Sequence, residues 1–130
     1  MMKFLSAEEI VVMHEKLLEL YGGEEGGGHR GAGYEGVEAT VQAVNNSYYE
    51  ALEELAAAYA VYIVQGHVFM DGNKRSASAS MLTFLVANGQ TPKLSMEDTA
   101  PIMLELQQRA ETDERVDPDL LIQWLAGFLR

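Results

Sequence analysis

A nine-residue run from His67 to Arg75 reads His-Val-Phe-Met-Asp-Gly-Asn-Lys-Arg and concentrates residue types that can do chemistry. A histidine titrates near neutral pH, so His67 can accept a proton from an attacking hydroxyl and is the candidate general base. Asp71, four residues later, supplies the hard oxygen ligand that Mg²⁺ requires. Phe69, between them, is expected to anchor the run in the core. The spacing therefore brings a base and a metal ligand into one short segment.

The second half of the run has the features of an anion site. Gly72 permits a sharp turn and close approach of the backbone to a ligand, and a helix is predicted to begin beside it. A helix start presents unpaired N–H groups and a partial positive charge. Lys74 adds a point charge, and Arg75 adds a planar fork of donors that matches phosphate oxygens. The residues expected to bind nucleotide phosphates are Gly72, Asn73, Lys74 and Arg75.

Each of these residues also has an ordinary structural explanation. A histidine after a helix-ending glycine is more often structural, Asp-Gly-Asn is a turn sequence, and Asn73 can serve only as a helix cap. The combination within nine residues is what favours a catalytic site. A Walker phosphate loop is excluded because Asn73 separates Gly72 from Lys74 and a helix precedes the run. The sequence contains neither an EF-hand loop nor a His-Glu-x-x-His zinc motif.

Helical patterns surround the run, and no segment alternates convincingly as a strand. The first helix is predicted to be capped by Ser6 and stopped at Gly22, and the last to be capped by Asp117. Pro101 favours a start near Thr99 for the helix that contains it, because proline is tolerated in the first turn. The helix that contains Pro101 is predicted over residues 100–110, and the last helix from residue 118 onwards. The remaining helices are predicted over residues 37–44, 50–65 and 73–86. The fold class is predicted to be all-α, one domain of about six helices over residues 1–130.

A glycine-rich segment, residues 22–36, is predicted to be a long loop. Such a loop is either a substrate-facing flap or a surface connection, and both interpretations stay open. His29 and Arg30 lie within it and are candidates for contact with the substrate. His14, on the apolar stripe of the first helix, is interpreted as structural.

Charge and composition limit the classes of partner. Nine Lys and Arg stand against 20 Asp and Glu, a net charge of −11, which disfavours nucleic acid and anionic membranes as partners. The absence of cysteine excludes disulfides and thiolate chemistry. The sequence has no signal-peptide pattern and no apolar run of the ~20 residues that span a bilayer. We therefore expect a cytoplasmic protein.

The run resembles the signature of the Fic/Doc family, His-x-Phe-x-[Asp/Glu]-[Gly/Ala]-Asn-[Gly/Lys]-Arg. Looser similarity to its small death-on-curing branch extends over nearly the whole chain. The resemblance implies a helical fold and the transfer of a phosphate-containing group from ATP, with Mg²⁺, to a protein hydroxyl. By the same resemblance His67 is the base, Asp71 holds Mg²⁺ and Phe69 is structural. The phosphate cradle would consist of Gly72, Asn73, Lys74 and Arg75.

Three departures from the AMP-transferring members bear on the chemistry. Those members carry glycine at the position of Lys74, a second arginine at that of Ser78, and usually proline at that of Val68. Lys74 matches the death-on-curing branch, which transfers a phosphoryl group, and the loss of the second arginine removes a cationic clamp. These differences favour a kinase. Gly72, however, also fits the AMP-transferring consensus, so AMP transfer stays open, as does a non-catalytic anion-binding module.

Death-on-curing proteins are toxins of bacterial toxin–antitoxin pairs, and the characterised type modifies elongation factor Tu. The resemblance thus implies a bacterial cytoplasmic growth inhibitor whose target protein offers a reactive hydroxyl. Some family members carry an internal inhibitory helix with Ser or Thr four residues before Glu. Here Glu25 and Glu35 have Tyr21 and Gly31 at that position, so inhibition is expected in trans, from a Phd-like antitoxin.

Overall fold

A computed structural model describes residues 1–22, 31–113 and 115–130. These residues form six helices and no strand, so the predicted all-α class is confirmed. The candidates His29 and Arg30 lie outside the described residues. No helix in the described part of the chain is both long and apolar enough to cross a membrane. The helices are α1 (Ala7–Tyr21), α2 (Gly31–Asn45), α3 (Leu52–Gly66), α4 (Asn73–Ala87), α5 (Met96–Thr112) and α6 (Pro118–Leu129).

Helix α3 is the centre of the bundle and contacts α2, α4, α5 and α6. It is buried on nearly all sides because its middle is almost entirely apolar, and Ala56, Ala57, Ala58 and Ala60 have no exposed surface. Their small side chains let the neighbouring helices approach closely. Helix α4 lies against α3 and is flanked by α1 and α5. The nine-residue run forms the turn between α3 and α4 and the first residues of α4, so the candidate site is held by two largely buried helices.

The predicted caps of α1 and α6 are confirmed. Ser6 Oγ accepts from the Glu9 N–H at 3.1 Å, and the Glu9 carboxylate accepts from the Ser6 N–H at 3.0 Å, which completes a capping box. Asp117 accepts from the Asp119 N–H at 3.0 Å, and Pro118 occupies the first turn of α6. These ends are determined by residues within one turn of each other, which is why the sequence predicts them.

The prediction of a loop over residues 22–36 is wrong for its final part, because α2 begins at Gly31. Glycine costs about 1 kcal/mol in a helix, but packing of the helix offsets this. Val37 and Val44 are buried in the core, and Thr40 is 4% exposed beside them. A Cβ on Gly36 would lie 2.5 Å from Val68 Cγ1, so the missing side chain at Gly36 is what lets α2 meet the motif.

The predicted start of α5 near Thr99 is also wrong, since the helix begins at Met96 and contains Pro101. Ser95 and Asp98 form a capping box, with hydrogen bonds of 2.9 and 3.1 Å. The Ser95 backbone N–H bond holds the pKa of the Asp98 carboxyl below its usual value. Pro101 lies on the exposed face, where water can bond to the carbonyl that the missing N–H leaves unpaired. The cap and the burial of the opposite face therefore outweigh the proline.

Candidate active site

His67 occupies a strained backbone position at the end of α3. Its φ and ψ are 50° and 48°, and it is the one non-glycine residue with positive φ in the described chain. This left-handed conformation costs a non-glycine residue about 1–2 kcal/mol. The sequence suggests that Gly66 would take the turn, but Gly66 is the last helical residue and the turn falls on His67. The turn aims an exposed imidazole out of the helix end, and strain of this kind is concentrated at functional sites.

Phe69, the predicted anchor of the motif, is buried together with its neighbour Val68. Val68 is 6% exposed and Phe69 is 3% exposed. The Phe69 ring stacks face to face on the His14 ring, with centroids 3.6 Å apart and planes 6° from parallel. His14, fully buried on α1, also shares a 3.0 Å hydrogen bond with Ser76 Oγ in the first turns of α4. Phe69 thus lies where an anchor would, and His14 ties α1 to both sides of the turn.

The Asn73 side chain closes the motif turn on itself. Its Oδ1 accepts from the Phe69 N–H at 3.0 Å, and its Nδ2 donates to the Phe69 carbonyl at 2.8 Å. These two bonds fix which end of the amide is oxygen. Nδ2 also lies 3.2 Å from His67 Nδ1. The Asn73 side chain is therefore engaged within the motif, and its backbone N–H, in the first turn of α4, is the group it offers to a phosphate.

This arrangement selects a tautomer of His67. Because Nδ2 of Asn73 can only donate, Nδ1 of His67 accepts, and the neutral ring carries its proton on Nε2. The other tautomer, with the free lone pair on Nε2, forfeits only this contact, worth about 1 kcal/mol between neutral groups. The ring is exposed, so water can carry the proton between its two nitrogens. Either ring nitrogen of His67 can therefore act as the proton acceptor, because the two neutral tautomers differ by only about 1 kcal/mol.

Gly72 is the N-cap residue of α4 and provides no side-chain acceptor for the N–H groups at the start of this helix. Its φ of 80° is left-handed, and a Cβ there would lie 3.2 Å from His14 Cε1, so both backbone and space require glycine. A glycine cap has no side chain to accept from the first-turn N–H groups. Ser76 N donates to the Gly72 carbonyl at 2.9 Å as the first intrahelical bond. The N-terminal end of α4 therefore offers N–H donors and a partial positive charge to an anion.

Lys74 and Arg75 lie exposed on different flanks of this helix end. Lys74 Nζ donates to Gln107 Oε1 of α5 at 2.7 Å. The Arg75 guanidinium carbon lies 4.5 Å above the centre of the Tyr21 ring, at the end of α1. An anion at the start of α4 would thus meet backbone N–H groups between two cations.

Asp71 is half-buried beside the same helix end, and its Oδ1 accepts from the Gly72 N–H at 2.7 Å. The described residues contain no cluster of three or more His, Asp or Glu side chains that could hold a metal alone. Mg²⁺ commonly binds through one or two carboxylates together with substrate phosphates and water. One carboxylate next to a phosphate site fits that donor set, so Asp71 suits Mg²⁺ bound together with a nucleotide.

A family model described as the Fic/DOC family matches residues 4–85, which run from the segment before α1 through most of α4 and include the motif. The chain belongs to the Fic/DOC family. It is also 38% identical over 90 residues to the protein named "Protein kinase doc" of Escherichia phage P1, covering 68% of this chain and 70% of that relative.

Ser78, where AMP-transferring Fic/DOC proteins carry a second arginine, points away from solvent. Its side chain is 2% exposed, and its Oγ shares a hydrogen bond of 2.8 Å with Thr99 Oγ1 of α5. Thr99 also donates to the Met96 carbonyl at 2.8 Å, so this contact belongs to the joint between α4 and α5. An arginine at position 78 would have to displace that joint before reaching a ligand.

Several residues around the Fic/DOC motif lack a sequence signal strong enough to predict their place. His14 has helical spacing with the apolar residues of α1, which predicts burial but not its stack on Phe69. Tyr21 and Gln107 are ordinary surface residues by sequence, and Gly36 lies in a glycine-rich stretch. Each contacts the motif through tertiary structure, which neither spacing nor residue type reveals.

Proposed function

We propose that this protein is a Mg²⁺- and ATP-dependent phosphotransferase that modifies a hydroxyl of a target protein. The observation that carries the proposal is the pair of positions 74 and 78. Lys74 stands beside the open end of α4, and Ser78 is a buried hydroxyl in the helix joint. The second arginine clamp expected for AMP transfer is thus missing, and its position faces the core. The name of the phage relative, a protein kinase, supports the same chemistry.

In the proposed reaction His67 accepts the proton of the target hydroxyl. The hydroxyl oxygen forms a bond to the γ-phosphorus of ATP, the bond from that phosphorus to the bridging oxygen breaks, and ADP leaves. The backbone N–H groups at the start of α4, with Lys74 and Arg75, bind the phosphate oxygens and oppose their growing charge. Asp71 would hold Mg²⁺, which supplies further neutralisation of phosphate charge. His67 then releases its proton to water.

The biological role that we propose is that of a toxin. The resemblance to the death-on-curing branch supports a translation factor such as elongation factor Tu as the target. It also supports neutralisation in trans by a Phd-like antitoxin. Both proposals concern partners, and each is testable with the purified protein.

AMP transfer is the second candidate, and one observation favours it. Gly72 matches the AMP-transferring consensus, and its left-handed φ of 80° is a conformation that suits glycine. The two reactions share the base and the phosphate cradle. They differ in whether the γ- or the α-phosphorus is attacked.

The proposal is tested by incubating the purified protein with Mg²⁺, ATP and elongation factor Tu, followed by peptide mass spectrometry. We expect one serine or threonine to gain a phosphate with wild-type protein and none with His67→Ala. A gain of AMP at that residue would support the second candidate. An unmodified factor, with labelled protein appearing in a bacterial lysate, would refute the target and retain the reaction. No labelled protein in either sample would refute the transferase itself.

A further inference from the structure

Among the residues that the structure describes, neither cation of the motif is paired with a carboxylate. The chain carries 20 Asp and Glu against nine Lys and Arg. Even so, the side-chain ion pair found in the described part of the chain is Arg109 with Glu105, at 2.6 Å. Lys74 and Arg75 each contact an uncharged side chain instead, a glutamine and a tyrosine. In so acidic a chain, this arrangement keeps both positive charges available to an anion.

Tyr21 holds Arg75 through the face of its aromatic ring. The guanidinium carbon is 4.5 Å from the centre of the Tyr21 ring, a cation–π contact. The N–H donors of arginine lie on the edge of the guanidinium plane, and because an aromatic ring is uncharged it does not neutralise the group, so the donor edge can still grip phosphate in a bidentate fork. A carboxylate partner would occupy that same edge. Tyr21 thus restricts the side chain without competing for the ligand.

Gln107 holds Lys74 in a comparable way. Gln107 Nε2 donates to Glu111 Oε1 at 2.8 Å, and this bond turns the amide so that its oxygen faces Lys74 Nζ at 2.7 Å. Gln107 therefore stands between Lys74 and the nearest carboxylate in that network. An ammonium group has three donors, and one bond to the amide leaves two for phosphate.

We infer that Tyr21 and Gln107 are positioning residues of the phosphate site, which place Arg75 and Lys74 on either flank of the α4 start without neutralising them. Both lie outside the signature motif, on α1 and α5. The inference rests on the proposed function, because it assigns these residues to the binding of the same ATP phosphates. It predicts that they act on ATP affinity and only through their cations.

The test for Tyr21 uses its exposed position, since loss of a 61% exposed side chain should not unfold the protein. We expect Tyr21→Ala to raise the dissociation constant of Mg·ATP, measured by calorimetric titration, and the KM for ATP by about two- to fivefold with kcat unchanged. Tyr21→Phe should retain wild-type affinity because the ring face is kept. Tyr48→Ala, at a fully exposed tyrosine, is the matched control. Equal affinity of Tyr21→Ala and wild type, or equal weakening by Tyr21→Phe, would overturn the assignment.

The test for Gln107 uses a methionine of similar length. Gln107→Met should raise the same two constants by about two- to threefold, while Gln108→Met, on the next residue of α5, should not. An unchanged affinity in Gln107→Met would overturn its role.

A double-mutant cycle distinguishes positioning from a general structural effect. If Tyr21 acts through Arg75, Tyr21→Ala should have no further effect on affinity in an Arg75→Ala background, and the same holds for Gln107→Met with Lys74→Ala. Additive effects would refute the inference.

Wild-type protein that binds Mg·ATP but transfers neither phosphate nor AMP would refute the proposed function alone, since the titrations still decide this inference. Wild-type protein that binds neither Mg·ATP nor tripolyphosphate would refute both.

Discussion

His67 Nδ1 lies 3.2 Å from Asn73 Nδ2, while the remaining contacts of that amide clamp the Phe69 backbone. Asn73 therefore sets the direction of the candidate base as well as the shape of the turn. We expect Asn73→Ala to lower kcat by about a hundredfold with a smaller change in the KM for ATP, because misplacement of a catalytic group by about 1 Å has that effect. Steady-state kinetics at saturating ATP measures it.

Asn73→Asp turns the donor side of this residue into an acceptor. The aspartate can still accept from the Phe69 N–H but cannot donate to the Phe69 carbonyl, and toward His67 it can only accept from Nδ1–H, which leaves the lone pair on Nε2. It should retain more stability than Asn73→Ala, measured by urea unfolding, and more of kcat, because the His67 ring is still held. Wild-type kcat in both variants would show that Asn73 does not orient the ring.

Removal of strain at His67 should stabilise an inactive protein. Its left-handed φ of 50° costs a residue with a Cβ about 1–2 kcal/mol, partly offset by the greater freedom of glycine in the unfolded chain. We expect His67→Gly to be about 0.5–1 kcal/mol more stable than His67→Ala in urea unfolding, with neither transferring phosphate. A less stable His67→Gly would mean that the turn is not strained. Transfer by either variant would remove His67 as the base.

Two glycines near the motif should respond in opposite ways to the same substitution. In Gly36→Ala the new Cβ would lie 2.5 Å from Val68 Cγ1, so α2 or the motif must shift, at a cost of about 1–3 kcal/mol. In Gly66→Ala the Cβ meets nothing within 4 Å, and alanine suits the last residue of a helix. We expect Gly36→Ala to destabilise and Gly66→Ala to be neutral or stabilising in thermal unfolding.

A second substitution tests whether the contact between positions 36 and 68 causes this loss of stability. Val68→Ala removes the clashing methyl groups, so it should reduce the penalty of Gly36→Ala in the double variant. Equal penalties in both backgrounds would place the strain elsewhere in α2.

Burial of Tyr59 makes the fold sensitive to high pH. Desolvation raises the pKa of Tyr59 from 10.0 to about 12, although its hydroxyl also accepts from the Leu5 N–H at 2.9 Å. Because the folded-state pKa is the higher one, the stabilisation is complete below pH 10 and is lost as the pH rises toward 12. The loss should reach on the order of 2–3 kcal/mol.

Tyr59→Phe isolates this effect. At neutral pH it should lower stability by about 1–3 kcal/mol, because the Leu5 N–H loses its acceptor. Between pH 10 and 12 its stability should fall less than that of wild type in urea unfolding. A parallel fall in both proteins would assign the alkaline transition to other tyrosines.

The sequence predicts those parts of the fold that depend on neighbours along the chain. Ser6 with Glu9, and Asp117 with Pro118, place two helix ends because each cap is complete within one turn. The start of α5 is mispredicted because the rule against proline is a local preference. It is outweighed by a capping box at Ser95 and by the packing of the opposite helix face.

In the candidate site, too, the sequence predicts what neighbours along the chain determine and misses what distant residues determine. The motif gives the candidate base, the candidate metal ligand and the cations as residue types at known spacing, and the structure brings these residues to the turn between α3 and α4 and the first turn of α4. Their orientation comes from α1, α2 and α5, through His14, Gly36 and Gln107. These partners are far away in sequence, so no local pattern predicts them.

Phosphoryl transfer from ATP with His67 as the base can be tested by isotope labelling. The most direct measurement incubates purified protein and Mg²⁺ with bacterial lysate and ATP labelled at either the γ- or the α-phosphate, with His67→Ala in parallel. We expect a protein band labelled only from the γ position and absent with the variant. A band labelled from the α position would establish AMP transfer, and γ-labelling that persists in His67→Ala would contradict the assignment of the base.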